Sequence, residues 1–258
     1  MELVDYFYSS EPFFEEVAFT TYMPHEVYYR AIEHSIAICH ELIPPVPSSG
    51  LEEVILTVCK YMSDMNTNNI ERHPLRPFLP SNARLLMLGS FPPSRKRWCM
   101  DFFYPNRSNQ MWLIFGELFY GDSQKLVNEE ERSFRKEDIE ELLKDKGIAI
   151  FDTAMAVRRL SGNASDKDLE IVEKTDIPLL LSRIPLCHDI VCTGQKSFSV
   201  FSEDYGVAVP AMGEYTEFSI AGREMRMWRM PSSSRAFPMK LHDKARYYHD
   251  MMLYIGLL

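Results

Sequence analysis

The sequence is poor in cysteine and has no cysteine pattern of a metal site. Five cysteines are spread over 258 residues, and no pair has C-x-x-C, zinc-site or iron–sulfur spacing. The seven histidines are scattered as well. An odd number of free thiols is typical of a reducing compartment. We therefore expect a cytoplasmic protein without a metal ion or an iron–sulfur cluster.

The sequence also lacks long apolar runs. No stretch approaches the roughly 20 residues of a membrane-spanning helix, and the acidic first residues do not begin a secretory signal. The motifs G-x-G-x-x-G and G-x-S-x-G are absent, so neither a dinucleotide site nor a hydrolase nucleophile elbow is indicated. Hydrophobic residues make up 46% of the chain, which is enough for a core. We therefore expect no membrane contact. The length of 258 residues allows one domain with an extension.

An excess of positive charge is missing too, since the net charge is −9. Residues 1–73 contain 12 acidic and 3 basic residues, whereas residues 74–258 contain 25 of each. DNA affinity depends on local basic patches, so an acidic total does not exclude a DNA partner. The alternative is that these basic residues are solvated surface charges. Two basic clusters stand in the neutral part: Arg95, Lys96, Arg97 and Arg107, and then Arg223, Arg226, Arg229, Arg235, Lys240 and Lys244.

Residues 1–70 are predicted to form an acidic, helical N-terminal extension. Amphipathic patterns predict helices over residues 24–42 and 51–62, and a polar, proline-rich linker follows over 63–80. Packing against the main domain is the simplest role for this extension. Contacts with a partner or a second copy, and shielding of a basic site, are the alternatives.

Short apolar segments alternate with amphipathic ones in the rest of the chain. The pattern predicts strands at 83–89, 148–152, 188–193 and 223–230, and helices that include 129–146 and a final one from 238 to 254. Residues 208–220 are predicted to be irregular. Strands that alternate with helices favour an α/β fold with a parallel sheet and helices on both faces. We expect a ligand at the loop after the first strand, because open α/β sheets bind ligands beyond the carboxyl ends of their strands.

Three motifs stand out: one at the end of the first predicted strand, one that leads from the loop after it into a helix, and one after the last predicted strand. The first is GSFPP at residues 89–93, the second is FYPNRSNQMW at 103–112, and the third is PSSSR at 231–235. Together they resemble the uracil-DNA glycosylase superfamily, and most of all its hypoxanthine-DNA glycosylase branch. The resemblance extends from about Arg72 to Leu258.

This resemblance implies a fold and an activity. The fold would be a three-layer αβα domain over residues 71–258, with a central four-stranded parallel sheet in the order 2-1-3-4. The activity would be that of a monofunctional DNA glycosylase, a hydrolase of N-glycosyl bonds in base-excision repair. It would flip a deaminated base out of DNA, hypoxanthine rather than uracil, and leave an abasic site without a cofactor. Such a protein would associate with the nucleoid.

The motif matches and the basic clusters give a set of candidate site residues. Catalytic roles are predicted for Asn109 and Ser232, and base-binding roles for Gly89, Ser90, Phe91, Pro92 and Tyr104. DNA-binding roles are predicted for Arg95, Lys96, Arg97, Ser233, Ser234 and Arg235. In the loop after the second strand, Asp152, Arg158 and Ser165 are predicted to face the site.

Three departures from the superfamily and two alternatives accompany these assignments. Phe91 stands where other branches have Asp or Asn, Met230 where uracil-specific members have His or Asn, and Arg235 where the branch has Pro. The simpler role of Asn109 is a helix cap, for which Ser108 competes. The alternative function is a non-catalytic nucleic-acid-binding module with a glycosylase-like fold.

Overall fold

The computed structural model of the protein describes residues 70–160 and 169–258. These residues belong to one compact unit that extends from Ile70 to Leu258. The predicted helices of the N-terminal extension lie outside the described residues, as does Ser165.

The described residues form ten strands and five α-helices. The strands are β1 Ile70–Arg72, β2 Leu85–Gly89, β3 Val127–Asn128, β4 Ser133–Phe134, β5 Ile148–Asp152, β6 Ala154–Arg159, β7 Leu169–Lys174, β8 Asp189–Cys192, β9 Tyr215–Ile220 and β10 Arg223–Arg229. The helices are α1 Met111–Tyr120, α2 Lys136–Lys146, α3 Ile177–Ser182, α4 Gln195–Tyr205 and α5 Leu241–Tyr254. A 3-10 turn at Arg95–Arg97 lies between β2 and α1.

A five-stranded sheet, in the order β5-β2-β8-β10-β9, lies at the centre of the unit. The first four of these strands are parallel to their neighbours, and β9 pairs antiparallel with β10. The prediction of a purely parallel, four-stranded sheet was therefore incomplete, because the sheet is mixed. The prediction that residues 208–220 are irregular was wrong for Tyr215–Ile220. Ala221 and Gly222 both have positive φ, at 51° and 73°, as the two-residue turn of a tight hairpin requires.

A second sheet has the order β1-β6-β7. Its central strand, β6, begins two residues after β5 ends. The segment after Asp152 was predicted to be a loop, which is wrong for residues 154–159. The reason is a local core that the sequence pattern does not reveal: Ala154, Val157 and Leu169 from this sheet bury the ring of Phe91. The small sheet therefore fixes the first motif in place.

The helices mostly begin and end near their predicted bounds. Helix α2 is shorter than predicted, because residues 127–134 form the hairpin β3–β4. Gly147 ends α2 with a φ of 65°, the left-handed conformation that favours glycine. A Cβ there would also lie 2.5 Å from the Asn82 carbonyl oxygen, so the turn has no room for a side chain.

The core covers both faces of the central sheet. All five residues of β2 are buried, and successive side chains of a strand point to opposite faces. Both faces are therefore covered, as a three-layer arrangement requires. Trp112 of α1 and Tyr248 of α5 are among the largest fully buried side chains. Each large apolar side chain buried in this way contributes about 1.5–3 kcal/mol to stability.

Over residues 70–160 and 169–258, the structure contains no helix that is both long and apolar enough to cross a membrane.

Candidate functional site

A cavity of about 970 Å³ opens where the parallel strands end. Its lining comes from the ends of β2, β5, β6 and β10, from the loops that follow β2, β8 and β10, from the loop before α1, and from the first turns of α4. Since parallel strands end at one edge of a sheet, these segments meet there, and this edge is the usual ligand site of α/β folds. All three sequence motifs contribute residues to the lining.

Gly89 and Asp152 form the floor of the cavity together with Tyr104. They are the last residues of β2 and β5, they are register partners, and both are buried. A Cβ at position 89 would lie 2.1 Å from Oδ1 of Asp152. Glycine is therefore required here because the carboxylate occupies the space that a side chain would need.

The carboxylate of Asp152 is held by His73, which does not line the cavity. Nε2 of His73 lies 2.8 Å from Oδ2 of Asp152, and the exposed fractions of the two side chains are 0% and 10%. The other ring nitrogen, Nδ1, lies 2.9 Å from the carbonyl oxygen of Leu75 and 3.2 Å from its amide nitrogen. The ring packs against Phe151 and Phe91 at centroid distances of 4.6 and 5.4 Å. The imidazole is thus fully buried and fixed by aromatic rings, whereas the carboxylate reaches the cavity.

Tyr104 presents a phenol to the same floor. It adopts a φ of 49°, which is uncommon for a residue with a side chain, and its Oη lies 2.8 Å from Oγ1 of Thr193. Burial, and then the negative charge of Asp152, raises the pKa of Tyr104 well above its usual value. The phenol therefore keeps its proton and can serve as a hydrogen-bond donor.

The first motif places Phe91 in the cavity wall. The ring is buried against the small sheet, and the guanidinium carbon of Arg159 lies 5.7 Å from its centroid. Arg159 also donates from Nη2 to the Pro92 carbonyl at 2.6 Å and from Nε to Glu71 at 2.8 Å. This arginine therefore ties the motif loop to β1 and β6.

The second and third motifs are joined backbone to backbone. Asn109 and Ser234 form an antiparallel bridge. The Gln110 amide donates to the Ser233 carbonyl at 2.8 Å, and the Arg235 amide donates to the Ser108 carbonyl at 3.1 Å. We call this pairing of residues 108–110 with 233–235 the clamp. The clamp brings the two predicted catalytic residues, Asn109 and Ser232, to one side of the cavity.

The side chain of Asn109 has one fixed end and one open end. Its Oδ1 accepts a hydrogen bond from the Met111 amide at 2.9 Å, at the start of α1. Ser108 is exposed and makes no such bond, so Asn109 rather than Ser108 supplies this contact to the helix start. Within the described part of the chain, no hydrogen bond to the Asn109 Nδ2 is found, and the residue lines the cavity. The amide NH₂ is therefore available to a ligand.

Two residues of α5 anchor the serine loop. Nζ of the buried Lys244 donates to Oε1 of Gln110 at 2.8 Å and to the Ser234 carbonyl at 2.6 Å. Burial lowers the pKa of this lysine. Tyr248 donates from its hydroxyl to the Pro231 carbonyl at 3.1 Å. The clamp is therefore supported by the helix beneath it as well as by its own backbone bonds.

The second basic cluster serves two different purposes. Arg223 donates to the carbonyls of residues 181, 185 and 187, and Arg226 pairs with Asp189 at 2.8 Å. With Lys244, these residues have internal partners, so the prediction of one basic surface around the third motif was wrong for them. The cations that do line the cavity are Arg97, Arg159, Lys196, Arg229 and Arg235. We call the three whose side chains make no hydrogen bond to any described residue, Arg97, Lys196 and Arg235, the rim.

Most predicted site residues line the cavity, and three do not. Arg95 pairs with Asp101, its guanidinium lies 4.1 Å from the Trp98 ring centroid, and neither Arg95 nor the exposed Lys96 is part of the lining. Arg158, predicted to face the site, pairs with Glu170 at 2.7 Å and is not part of the lining. The predicted residues that do line it are Gly89, Ser90, Phe91, Pro92, Arg97, Tyr104, Asn109, Asp152, Ser232, Ser233, Ser234 and Arg235.

Sequence reasoning missed the partner of Asp152 and the contribution of β8 and α4. His73 stands 79 positions before Asp152, and its local sequence does not reveal that the two residues are in contact. Thr193 and Lys196 follow a strand end, and that position was the signal that could have found them. Among the residues that the structure describes, there is no cluster of His, Cys, Asp and Glu able to hold a metal ion.

Comparisons with known proteins identify similar solved structures but no family. No protein-family model matches the chain, and no curated protein matches it at a significant level. One similar solved structure is the solution NMR structure of a candidate uracil DNA glycosylase from Methanosarcina acetivorans. The two share 20% sequence identity with a TM-score of 0.49, over 72% of this chain and 99% of that one. At this TM-score the likeness carries no argument about function.

Proposed function

We propose that this protein is a monofunctional DNA glycosylase that releases a deaminated base, preferably hypoxanthine, and leaves an abasic site. The observation that carries the proposal is the clamp, which joins the second and third motifs beside one cavity whose floor includes Gly89 of the first motif. The three motifs are separated by many residues in the sequence. Their meeting at a single cavity supports a shared chemical task.

The base enters the aromatic part of the cavity. Extruding a base from a duplex costs a few kcal/mol, which the protein recovers through stacking and hydrogen bonds. Phe91, Phe103 and Tyr104 supply aromatic surface in the lining. The phenol of Tyr104, which keeps its proton, can donate to a carbonyl oxygen of the base.

The strand is held by the rim and by the serine loop. Phosphate contacts supply most of the affinity of a DNA-binding protein, and they depend on local positive charge rather than on the net charge of the chain. Arg97, Lys196 and Arg235 bring three cations to the cavity, and the hydroxyls of Ser232 and Ser234 add small polar groups beside them. This arrangement fits a phosphate on either side of an extruded nucleotide.

Asn109 acts on the reacting centre. Its Oδ1 is engaged at the start of α1, so the group it offers to a ligand is the NH₂. A donor aimed at a base edge or at the water stabilises the charge that develops as the glycosidic bond breaks. Met230 lines the cavity where uracil-specific relatives carry a donor, and a thioether cannot donate to a uracil anion. We therefore propose hypoxanthine as the preferred base and expect weak release of uracil.

Single-turnover incubation with labelled duplexes tests this function. Duplexes containing hypoxanthine, uracil, xanthine or a mismatched thymine are treated with the protein and then with alkali, which cleaves abasic strands. We expect cleavage at hypoxanthine with the fastest rate, and no strand cleavage before alkali. A protein that retains the duplexes but produces no alkali-labile site is instead a binding module, which is the alternative function.

A further inference from the structure

The two oxygens of the Asp152 carboxyl group have different surroundings. Among the described residues that line the cavity, Asp152 alone is acidic. Its Oδ2 lies 2.8 Å from Nε2 of the buried His73, which is outside the lining. Its Oδ1 lies on the side of Gly89, and within residues 70–160 and 169–258 it accepts no hydrogen bond. One oxygen is therefore engaged, and the other is open to a ligand.

The surroundings of Asp152 favour a carboxylate, which only accepts hydrogen bonds. Five cations line the same cavity, and opposite charges stabilise the ionised form of a carboxyl group. Because a carboxylate has no proton to donate, the 2.8 Å contact requires a proton on Nε2 of His73. Nδ1 of the ring can then accept from the Leu75 amide, 3.2 Å away. The imidazole is thus satisfied at both nitrogens while Oδ1 remains an acceptor.

A hydrogen-bond donor stands beside this acceptor. The point where a Cβ would lie at Gly89 is 2.1 Å from Oδ1 of Asp152 and 3.8 Å from Oη of Tyr104. Oη also lies 2.8 Å from Oγ1 of Thr193, and when the threonine hydroxyl donates, the phenol proton is free for a ligand. Burial, and then the negative charge of Asp152, raises the pKa of Tyr104, so the phenol keeps that proton. The floor therefore presents an acceptor and a donor side by side.

We propose that His73 is a positioning residue for base selection, which holds the carboxylate of Asp152 so that Oδ1 accepts the ring N–H of a deaminated base. This inference rests on the proposed glycosylase function and deepens it. Deamination of adenine turns N1 from an acceptor into an N–H donor and the amino group at C6 into a carbonyl. The hypoxanthine edge thus matches Asp152 and Tyr104. The adenine edge instead places an unprotonated nitrogen against a carboxylate.

The same pair of groups selects a class of base rather than one base. Xanthine and uracil carry an N–H beside a carbonyl, as hypoxanthine does, whereas adenine and cytosine carry the reverse pattern. Guanine and thymine share the N–H and the carbonyl, but a correctly paired base costs more to extrude than a mismatched one. The floor therefore separates hypoxanthine from adenine and uracil from cytosine, while pairing protects guanine and thymine.

An amide in place of the carboxylate would not make this distinction. Leu75 offers Nδ1 of His73 both a carbonyl oxygen at 2.9 Å and an amide nitrogen at 3.2 Å, so either tautomer of the ring is satisfied. His73 could then donate to an amide oxygen or accept from an amide NH₂. The amide could present either group to the base, whereas the carboxylate presents an acceptor only. The charge of Asp152 is therefore what makes the selection strict.

The first test measures binding rather than cleavage. Two duplexes carry hypoxanthine or adenine opposite an abasic-site analogue, so that neither base is paired, and a fluorine at C2′ of that nucleotide suppresses its release. A hydrogen bond to a charged group is worth on the order of 10–100-fold in an equilibrium constant. We expect the parent to prefer hypoxanthine by about that factor, and Asp152→Asn to prefer it by less than about threefold. A parent without preference, or a preference that Asp152→Asn keeps, would overturn the inference.

The second test separates positioning from packing. His73→Gln keeps an N–H donor at a similar reach, whereas His73→Phe keeps a ring and removes the donor. We expect His73→Gln to retain most of the preference for hypoxanthine and His73→Phe to lose most of it. In the Asp152→Asn background, His73→Phe should change the preference little further, because His73 acts through the carboxylate. Equal preferences in the two single variants would leave His73 a packing residue only.

A measurement on the parent protein does not depend on the folding of any variant. Proton–nitrogen NMR spectra report which ring nitrogen of a histidine carries a proton, and the His73 signal is assigned by its loss in His73→Gln. We expect a proton on Nε2 of His73, since the carboxylate beside it can only accept. A ring with its proton on Nδ1 alone would contradict the inference.

Controls separate this inference from the proposed function. Asp145→Asn removes an exposed carboxylate outside the cavity lining and should keep the parent preference. Thermal unfolding and affinity for undamaged DNA are measured for every variant. If the parent prefers the hypoxanthine duplex yet releases no base from a cleavable one, the glycosylase function is wrong and the reading of the base stands. If the parent releases hypoxanthine but shows no preference in binding, only this inference is wrong.

Discussion

The floor and the rim of the cavity are constructed in opposite ways. In the floor, Gly89 and Asp152 are buried, paired across two strands and fixed by a histidine from a distant part of the chain. In the rim, the cations of Arg97 and Arg235 are exposed at the surface, and neither has a side-chain partner among the described residues. Buried, fixed groups suit a step that requires well-defined distances, whereas exposed cations suit adaptable contacts with phosphates. We therefore expect the floor to control the rate of base release and the rim to control affinity.

The largest effect is expected from Gly89→Ala. The new Cβ would lie 2.1 Å from Oδ1 of Asp152, so the carboxylate must leave its position. A misplacement of about 1 Å near a reacting centre can cost about 10²-fold in rate, so base release should fall by on the order of 10²-fold or more. Affinity for undamaged DNA should change little. The measurement is single-turnover release at saturating protein.

Gly206→Ala is the matched control for that variant. Gly206 has a φ of 62° and an added Cβ would meet nothing within 4 Å, so the substitution costs about 1–2 kcal/mol of backbone strain alone. It should lower the unfolding temperature and leave the rate of base release unchanged. If Gly89→Ala releases base at the parent rate, the floor does not control the chemistry.

Asn109 lies on the clamp and lines the cavity, and its replacement should have the next largest effect. Asn109→Ala should slow base release by about 10²-fold, the typical cost of one stabilising donor, with little change in DNA binding. It should also cost about 1 kcal/mol of stability, because Oδ1 bonds the Met111 amide at the start of α1.

Two further substitutions divide the roles of the Asn109 side chain. Asn109→Ser keeps a cap for α1 and removes the amide, and Asn109→Asp keeps an acceptor and removes the donors. If the NH₂ acts on the reacting centre, both variants should release base slowly while their stability stays close to that of the parent protein. Activity in Asn109→Asp alone would assign Asn109 to positioning of the water. Parent-like rates in both would leave it a helix cap.

The rim should affect affinity through salt dependence. Removing one phosphate-binding cation lowers the slope of log K against log salt for B-DNA by about 0.9. Arg97→Ala with Arg235→Ala should therefore lower the slope by about 1.8, twice that amount, without slowing release at saturating protein. The matched pair Arg95→Ala and Lys96→Ala, outside the cavity lining, should leave the slope nearly unchanged. If the slope falls only in the Arg95→Ala and Lys96→Ala variant, then Arg97 and Arg235 do not contact phosphate, and Arg95 and Lys96 do.

The smallest effect on DNA binding is expected from Lys244→Met. This substitution should nevertheless lower the stability of the protein. The substitution leaves the Gln110 side-chain oxygen and the Ser234 carbonyl without their donor. An unsatisfied buried group costs about 1–3 kcal/mol, so the unfolding temperature should fall while the salt slope stays constant. Lys240→Met, at the exposed start of α5, should change neither the unfolding temperature nor the slope. A lower slope in Lys244→Met would mean that this lysine contacts phosphate after all.

The same contrast explains which parts of the molecule the sequence could predict. Strands β2, β5 and β8 have short apolar runs bounded by turn residues, and each lies within its predicted range. Strand β9 is an edge strand with one neighbour, and its alternation, in which exposed Glu217 and Ser219 stand beside Phe218 and Ile220, was too short to be recognised. Strand β6 was missed because its inward side chains bury Phe91 rather than contribute to the main core.

The candidate site shows the same limit. The motif residues near strand ends are local signals, and most of them line the cavity. The pairing of His73 with Asp152 is a contact over 79 positions, which local patterns cannot reveal. The basic residues after position 220 looked alike in the sequence, yet Arg223 and Arg226 bond to internal groups and Arg235 is exposed at the cavity. Charge alone does not distinguish these roles, because burial and partners decide them.

The most direct test of the central claim is mass spectrometry of a hypoxanthine-containing duplex after a single turnover with the parent protein. The account predicts free hypoxanthine and an intact strand lighter by one base, formed without metal or cofactor. It also predicts that the Asn109→Ala and Gly89→Ala variants bind the same duplex and yield little of either product. A parent protein that binds the duplex and leaves its mass unchanged would contradict the account.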